Sequence, residues 1–584
     1  LSLENISFLI IVLPLFGAAL VLISRVIKIK IIRKLVYYLA VFSALVLPII
    51  PIYITALSVY SGNTFTGTIG GWSFLRGITY SFDGLAIIII ILGYLLSIPA
   101  WIYSRAIKLE YDIFDTIYFI QLAFLSAFAI TTDIFNLFVC LEVLGITSYV
   151  LVVFADKPHA WLASLSYLLI SATAMLLYLI GMYFLYNLTG TLALSEIASR
   201  ITSIHGNYQI SIMISATAII AAIALRVAVV PVYGWLPDAH AMAPHPVSAV
   251  LSGILIKTPL FILLRFVIIL PFSEFIGNAF AYAGAITACI GVILALGQHD
   301  AKRLLAYHSV SQIGYVVCAW GLALSAGLQT LSGKLFFTAS FLHALFHGMF
   351  KGLLFLAVGT VLDVSDSRDV FKIRNSLVIL KQKGISPYIV LLAFLAGAFS
   401  ITAFPPWNGY ISKNLITNAI KSGPLYWLLF ASSIGTVASF IKLSQIFWNT
   451  HDNEQSTIID KNDTCSKQNI YISIALVSGT LFCLLSGIGG NWFYKTVYGF
   501  VNSLMHDVSY LAIPESIYSR LTLLKTLIIV ISGCILFVLL QCKPVKLLLE
   551  AIGMRKRSFS GLFFAFFIAF IVFFAYLWMN RILV

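Results

Sequence analysis

Apolar runs of about twenty residues recur from one end of this 584-residue chain to the other, each long enough to span a hydrocarbon core ~30 Å thick. Sixteen candidate spans can be drawn: 6–24, 35–57, 85–101, 113–130, 134–154, 161–185, 210–231, 246–270, 276–296, 304–324, 335–361, 388–421 (interrupted), 425–447, 470–488, 521–540 and 562–583. Apolar residues make up 61% of the chain and charged residues 10%, against roughly a quarter charged in a soluble domain. A soluble enzyme is excluded, and the fold class expected is an all-α polytopic membrane protein of about 16 transmembrane helices. No small-residue cleavage site follows the first span, so it is expected to be retained rather than removed as a signal sequence.

The net charge of +14 would suggest nucleic acid in a soluble chain. Here the basic residues cluster in short loops between spans, where they determine topology. Arg25, Lys28, Lys30, Arg33 and Lys34 crowd the first loop, while the longer second one carries Arg76. Every second loop then repeats the bias, through Lys302 and Arg303, then Arg368 to Lys383, then Lys543 to Arg557. These loops are expected to be cytoplasmic and both termini to lie outside. The polar, acid-rich stretch from His451 to Lys467 breaks the pattern and is expected to be a mobile or partner-facing insertion. Seven cysteines without a C-x-x-C pair imply neither a disulfide framework nor a metal cluster.

Proline interrupts two spans, Pro231 near the end of the seventh and Pro405-Pro406 in the middle of the twelfth. Each removes a backbone donor and clashes with the preceding turn, so both helices should break. Breaks at membrane depth are tolerated where protein or water satisfies the freed carbonyls, and breaks at corresponding places in two halves point to an ion path. The alternative is an accidental pairing of common transmembrane prolines. Five spans per half would invert the second half relative to the first. The expected division is 1–110 for the N-terminal helices, 111–270 and 271–450 for the two repeats, and 451–584 for the insertion and C-terminal helices.

Charged side chains inside spans cost on the order of 3 kcal/mol each on insertion scales, so they are functional candidates by default. Glu142 lies in the fifth span and Arg226 in the seventh, just before Pro231; opposite charge makes them natural partners. Lys257 lies mid-span in the eighth, and Lys413 follows the double proline. Lysine, unlike arginine, can exchange a proton when buried. In the eleventh span His343, His347 and Lys351 recur every fourth residue, on one stripe of the helix at ~6 Å axial steps. With His308 of the tenth span this stripe suits proton transfer. A metal site is the alternative for that spacing, although no carboxylate or cysteine on the stripe completes a shell. No phosphate-cradling loop or cysteine group is present to hold a nucleotide or an iron–sulfur cluster, and no cofactor is expected.

In order along the chain, these motifs resemble the antiporter-like proton-conducting family of respiratory complex I, membrane-bound hydrogenases and Mrp-type Na+/H+ antiporters. The resemblance rests on Gly70-Gly71-Trp72 with Gly77-Ile78, on Phe135-Asn136-Leu137 to Glu142, and on Trp235-Leu236-Pro237-Asp238-Ala239-His240 with Ala243-Pro244-His245-Pro246. It continues through Leu304 to Ser309 with Gln312 to Tyr315, the His343, His347, Lys351 helix, and Pro405-Pro406 to Lys413. Within the family, the Gly-Gly-Trp loop and the glutamate helix are most similar to the D-type chain of the Mrp antiporters.

This resemblance implies two inverted five-helix repeats with broken seventh and twelfth helices, and a central polar axis. It implies a proton path through Glu142, Lys257, His308, His343, His347, Lys351 and Lys413. Arg226 stands where the family usually has a lysine and Tyr233 where it usually has a histidine, so the first half is expected to be altered or silent. The expected function is a proton-translocating subunit of a monovalent cation/proton antiporter in a bacterial cytoplasmic membrane. Its partners would be other membrane subunits, protons, Na+ or K+, and lipid, but not nucleic acid. Alternatives are a pump subunit of an NADH:quinone oxidoreductase or hydrogenase, and a structural subunit that does not conduct.

Overall fold

The computed structural model describes residues 3–74, 76–109, 111–201, 208–365, 367–448, 465–505, 518–553 and 559–582. The N-terminal helices are α1 (Leu3–Val26), α2 (Lys30–Val41), α3 (Ile49–Tyr60) and α4 (Gly84–Ala106). Next come α5 (Tyr111–Ile130), α6 (Ile134–Val153), α7 (Pro158–Thr189), α8 (Leu194–Ile201), α9 (Tyr208–Val227), α10 (Leu236–Met242), α11 (His245–Val250) and α12 (Thr258–Val267). The second half holds α13 (Ser273–Leu296), α14 (Ala301–Ser325), α15 (Leu331–Ser365), α16 (Ser376–Gln382), α17 (Pro387–Ile401), α18 (Asn408–Ile420) and α19 (Pro424–Ser444). The C-terminal region holds α20 (Cys465–Ile488), α21 (Gly490–Met505), α22 (Arg520–Leu539), α23 (Lys543–Gly553) and α24 (Phe559–Ile582).

All sixteen expected spans are helical. Among the described residues, fourteen segments are long and apolar enough to cross a membrane unaided. The other two are α14, whose stripe of Lys302, His308, Ser309, Ser311 and Gln312 lowers its hydropathy, and the twelfth span, split into α17 and α18. The seventh span ends at Val227, four residues before Pro231. Ala228 then turns the chain with a positive φ of 61°, and the Val230 amide is taken by the Thr287 hydroxyl of α13. The eighth span, expected to be continuous, is also interrupted: a π-helical turn over Leu251–Leu255 separates α11 from α12. Residues 449–464, most of the polar insertion, lie outside the described residues, while Cys465 to Lys467 open α20.

The Gly70-Gly71-Trp72 motif forms the tip of a short antiparallel hairpin, β1 (Phe65–Thr68) and β2 (Thr79–Phe82). Gly70 and Gly71 both have φ above +70°, the left-handed region where a side chain is strained.

Two buried ion pairs fasten opposite ends of the bundle. Arg265 of α12 holds Asp83 with two 2.7 Å contacts and donates to the carbonyls of Ala129 and Thr131, while Asp83 caps α4 through the Ala86 amide. Arg105 lies 2.7 Å from Asp115, which also accepts from Tyr37 and Trp101. Removing one partner of such a pair strands a buried charge, which costs several kcal/mol.

In the second half, α13 and α14 cross backbone to backbone. Glycines recur at seven-residue spacing on α13 (Gly277, Gly284, Gly291) and face Gly314 and Gly321 of α14. A Cβ at Gly284 would stand 2.3 Å from the Cys318 amide nitrogen, and one at Gly314 2.4 Å from that of Ala288. Close approach of this kind lets dispersion hold helices together in lipid, where the hydrophobic effect cannot. It also fixes the polar stripe of α14. Gly284→Leu is expected to destabilise the protein by about 3 kcal/mol, since backbone is what has to give. Ile286→Leu on the exposed side of α13 should be neutral. Thermal unfolding in detergent, followed by size-exclusion recovery, checks both.

Candidate functional site

The polar groups from Lys257 to Lys413 converge inside the bundle. At the π-helical turn the regular ladder of hydrogen bonds is lost, and Pro259 brings no N–H to restore it. The freed carbonyls are used by the next side chain along. Lys257 is buried and its Nζ donates to Ser252 O at 2.9 Å and to Gly253 O. Oxygen at the carboxyl end of a helical turn carries partial negative charge, which suits an ammonium. Ser252 Oγ lies 2.7 Å from Ser309 Oγ, which ties the interruption to α14.

The twelfth span repeats the device. α17 stops at Ile401 and α18 starts at Asn408, and the Ile401 carbonyl accepts from Lys413 Nζ at 3.1 Å. The Lys413 ammonium lies 4.7 Å from the centre of the Tyr315 ring. Lys351 donates to Leu305 O of α14 and stands over Phe355.

Three histidines lie among these lysines, all fully buried. His308 Nε2 meets Ser439 Oγ at 2.7 Å, and His343 Nδ1 meets Ser412 Oγ at 2.9 Å. The His343 and His347 rings stack at 6.1 Å, and the Tyr315 ring lies 5.9 Å from that of His343. His308 Nδ1, His343 Nε2, both nitrogens of His347 and both polar atoms of Gln312 have no protein partner among the described residues. Buried polar atoms rarely go unpaired, so this row calls for ordered water between the side chains. Among the described residues no three His, Cys, Asp or Glu converge as a metal site would require.

The first half is built differently. Glu142, in the middle of α6, meets Arg226 at the end of α9, with Oε1 to Nη2 at 3.1 Å. The guanidinium fits because Gly145 lies one turn beyond Glu142: a Cβ there would be 2.8 Å from Arg226 Nη1. Tyr149, Tyr167 and Trp235 wall the pair, with Tyr167 and Trp235 stacked at 4.1 Å. Arg226 is 5% exposed but Glu142 is 28% exposed, on the same face of α6 as Phe135, Ile146 and Val150. Tyr233 is buried and packs edge-on to Tyr307.

His240, Lys302 and Lys442 are among the buried basic groups that the sequence reading did not single out as buried. His240 of α10 is fully buried with both ring nitrogens unpartnered. Lys302 of α14 donates to the Ala243 carbonyl, and Lys442 of α19 to the carbonyls of Leu296 and Gln298, 2.9 and 2.6 Å away. All lie at span ends, where a basic residue reads as a loop charge. A His or Lys within the first or last turn of a helix is the signal that would have found them.

The Glu142–Arg226 contact generates a stability prediction. Glu142→Gln leaves the guanidinium buried without its counter-ion and is expected to cost about 3 kcal/mol. Glu142→Gln with Arg226→Met should recover most of that loss. Thermal unfolding across this double-mutant cycle checks it, and additive single effects would sink the pairing.

Comparison with known proteins gives the family. The family model described as NADH:quinone oxidoreductase/Mrp antiporter, TM, matches residues 131–439, more than half of the chain. The D subunit of the Na(+)/H(+) antiporter of Alkalihalophilus pseudofirmus is 27% identical over 419 residues, 70% of this chain and 81% of that protein. The NADH-quinone oxidoreductase subunit N of Desulforudis audaxviator is 29% identical over 388 residues, 64% and 74% of the two chains. Among solved structures, a chain of the Mrp complex from Dietzia sp. superposes with a TM-score of 0.73 at 22% identity, over 86% of this chain and 98% of that one. A chain of an archaeal membrane-bound sulfane sulfur reductase gives 0.72 at 22%, over 85% and 97%. Because the family model covers more than half of its length, the chain belongs to the NADH:quinone oxidoreductase/Mrp antiporter transmembrane family.

Proposed function

We propose that this chain is a proton-translocating subunit of a multisubunit monovalent cation/proton antiporter. The observation that carries this reading is the line of buried lysines and histidines from Lys257 to Lys413. Lys257, Lys351 and Lys413 each rest on backbone carbonyl, with histidines and hydroxyls between them. A lysine on carbonyl oxygen keeps a neutral form it can adopt, whereas an arginine beside a carboxylate is locked in its charge. On this reading protons pass between Lys257, the His347 and His343 rings and Lys413, with His308 and Lys351 as a branch. Glu142 modulates the line from the first half, with Arg226 holding it.

The division into N-terminal helices over residues 1–110, repeats over 111–270 and 271–450 and a C-terminal region over 451–584 belongs to the same reading. In support, the broken helix is the fourth span of each five-span half, at Val227–Leu236 and at Ile401–Asn408. The loop charges put the basic end in the cytoplasm and both termini outside. Membership of a larger assembly is supported by Glu142 itself. A carboxylate on an exposed stripe halfway along a spanning helix is incompatible with lipid, so that face of α6 is covered by a neighbouring subunit. The similarity to the D subunit of an Na(+)/H(+) antiporter supports Na+ or K+ as the counter-ion.

A second reading has its own support. The similarity to a chain of an NADH-quinone oxidoreductase and to one of a sulfane sulfur reductase suits a proton pump powered by redox chemistry elsewhere in the complex.

Inverted vesicles carrying the chain in its native complex separate the two. Adding Na+ or K+ should dissipate an imposed pH gradient, and Lys413→Ala should abolish the response, while Glu142→Gln should remove most of it. A wild-type complex that ignores cations but acidifies on addition of a reductant would replace the antiporter reading with the redox one.

A further inference from the structure

The end of the bundle that carries the basic loops holds a cavity of about 810 Å3 between α4, α6, α7, α10, α14 and α15. Lys157, His159, His245, Lys302, Asp363 and Arg368 line it. Its acids are engaged: His245 Nε2 lies 2.9 Å from Asp363 Oδ1, and Arg368 Nε lies 2.8 Å from Asp300 Oδ2. His245 sits where α15 passes with no side chain in the way, since a Cβ at Gly359 would stand 2.4 Å from the ring. Lys302 reaches from this wall into the protein, only 2% exposed, with its ammonium on the Ala243 carbonyl.

Behind the wall is His240. Its helix, α10, runs directly into Ala241, Met242 and Ala243, which themselves line the cavity. Its backbone carbonyl is fixed by the Ser248 hydroxyl at 2.8 Å, so the α10–α11 corner is a defined structure. Its ring is held edge-on to Phe355 of α15. Neither ring nitrogen has a protein partner, although the side chain is fully buried. The charged groups that act on it come from three elements: Lys351 of α15, Lys302 of α14 and Lys257 at the α11–α12 interruption. Those that act on His245 are Lys302, Asp363 and Arg368. An imidazole with two open nitrogens thus lies one residue along α10 from the cavity lining, with the charges of Lys302, Lys351 and Lys257 acting on it.

We propose that His240, with Lys302 beside it, is the inlet through which protons pass from the basic-end cavity to Lys351 and Lys257, and that the His245–Asp363 pair forms its mouth. The proposal rests on the proton-translocating function above. The step is a balanced relay: one ring nitrogen of His240 accepts a proton from water on the cavity side while the other gives one up toward a neutral lysine. The ring's charge is unchanged once the tautomer resets. The pair at the mouth exchanges protons with solvent, since Asp363 is the exposed member.

Two measurements on the complex in oriented vesicles test it. The first is accessibility: Asp363→Cys and His240→Cys are treated with a small membrane-impermeant thiosulfonate, scored against the parent's own cysteines. Both should react from the side of the basic loops, His240→Cys more slowly, and neither from the opposite side. Labelling of His240→Cys from the opposite side only, or from neither, overturns the inlet whatever the transport data show. The second is transport: His240→Phe should lower cation-driven dissipation of the pH gradient by roughly a hundredfold, the lower end of what a positioned proton-transfer group contributes. His240→Asn, similar in polarity and smaller, should assemble normally and be as slow. An assembled His240→Asn complex with wild-type rate overturns the relay. Absence of a cation response in the wild type rejects the function itself, and the labelling then decides the inlet alone.

Discussion

A lysine ammonium inside a hydrocarbon slab has to be given oxygen, and in this protein the backbone supplies it. Lys257 takes the carbonyls of Ser252 and Gly253 at the π-helical turn, Lys413 that of Ile401 where α17 stops, and Lys442 those of Leu296 and Gln298 where α13 ends. Lys302 takes that of Ala243 between α10 and α11. An interrupted helix and a buried lysine are thus two halves of one arrangement: the interruption would be costly without a donor, and the lysine without acceptors. Arginine is used for something else. Arg265 with Asp83 and Arg105 with Asp115 are carboxylate pairs braced by further hydrogen bonds. Their charges are matched and fixed, as suits fasteners between helices. The division by side-chain chemistry separates what holds the bundle together from what can change protonation within it.

The close crossing of α13 and α14 carries this further. Because Gly277, Gly284 and Gly291 bring the two backbones into contact, α14 cannot rotate about its axis without collision. Its polar face is therefore presented to α15, α18 and α19 in one orientation. His308 reaches Ser439, Tyr315 reaches the Leu429 carbonyl and Ser433, and Ser311 reaches Ser432. Hydroxyls suit such a face, since each both donates and accepts and can reverse its direction without moving its oxygen.

What was legible in the sequence follows from how local each signal is. Spans are a property of twenty consecutive residues, and all sixteen are helical. The Pro405-Pro406 break is written in two adjacent residues, and the His343, His347, Lys351 stripe in a four-residue period. The interruption before Lys257 was missed because its cause is split: a π-helical turn without special composition, followed by Pro259, which alone reads as an ordinary first-turn proline. The Asp83–Arg265 pair was missed because its members are 182 positions apart. His240 lay in a recognised motif, yet nothing local tells a buried imidazole from a loop one. That distinction is made by α14 and α15, which the sequence places far away.

Buried charge is handled in two chemically different ways along the chain. From Lys257 to Lys413 every charge on the line is a lysine on carbonyl oxygen; earlier in the chain Arg226 faces Glu142. A guanidinium keeps its charge at any physiological pH, so the only group of that pair able to change state is the carboxylate. While Glu142 is ionised the pair is neutral from a distance. If Glu142 takes a proton, the positive charge of Arg226 is left uncompensated in a low-dielectric interior, where its field on neighbouring cations is strong. On the proposed function, an arginine in this place turns the first half from a proton carrier into a source of field. On the same proposal it acts on the lysine line through the state of Glu142, on the partly exposed face of α6 proposed to meet a neighbouring subunit. Replacing lysine by arginine then need not silence the first half. It moves the control of that half to the interface.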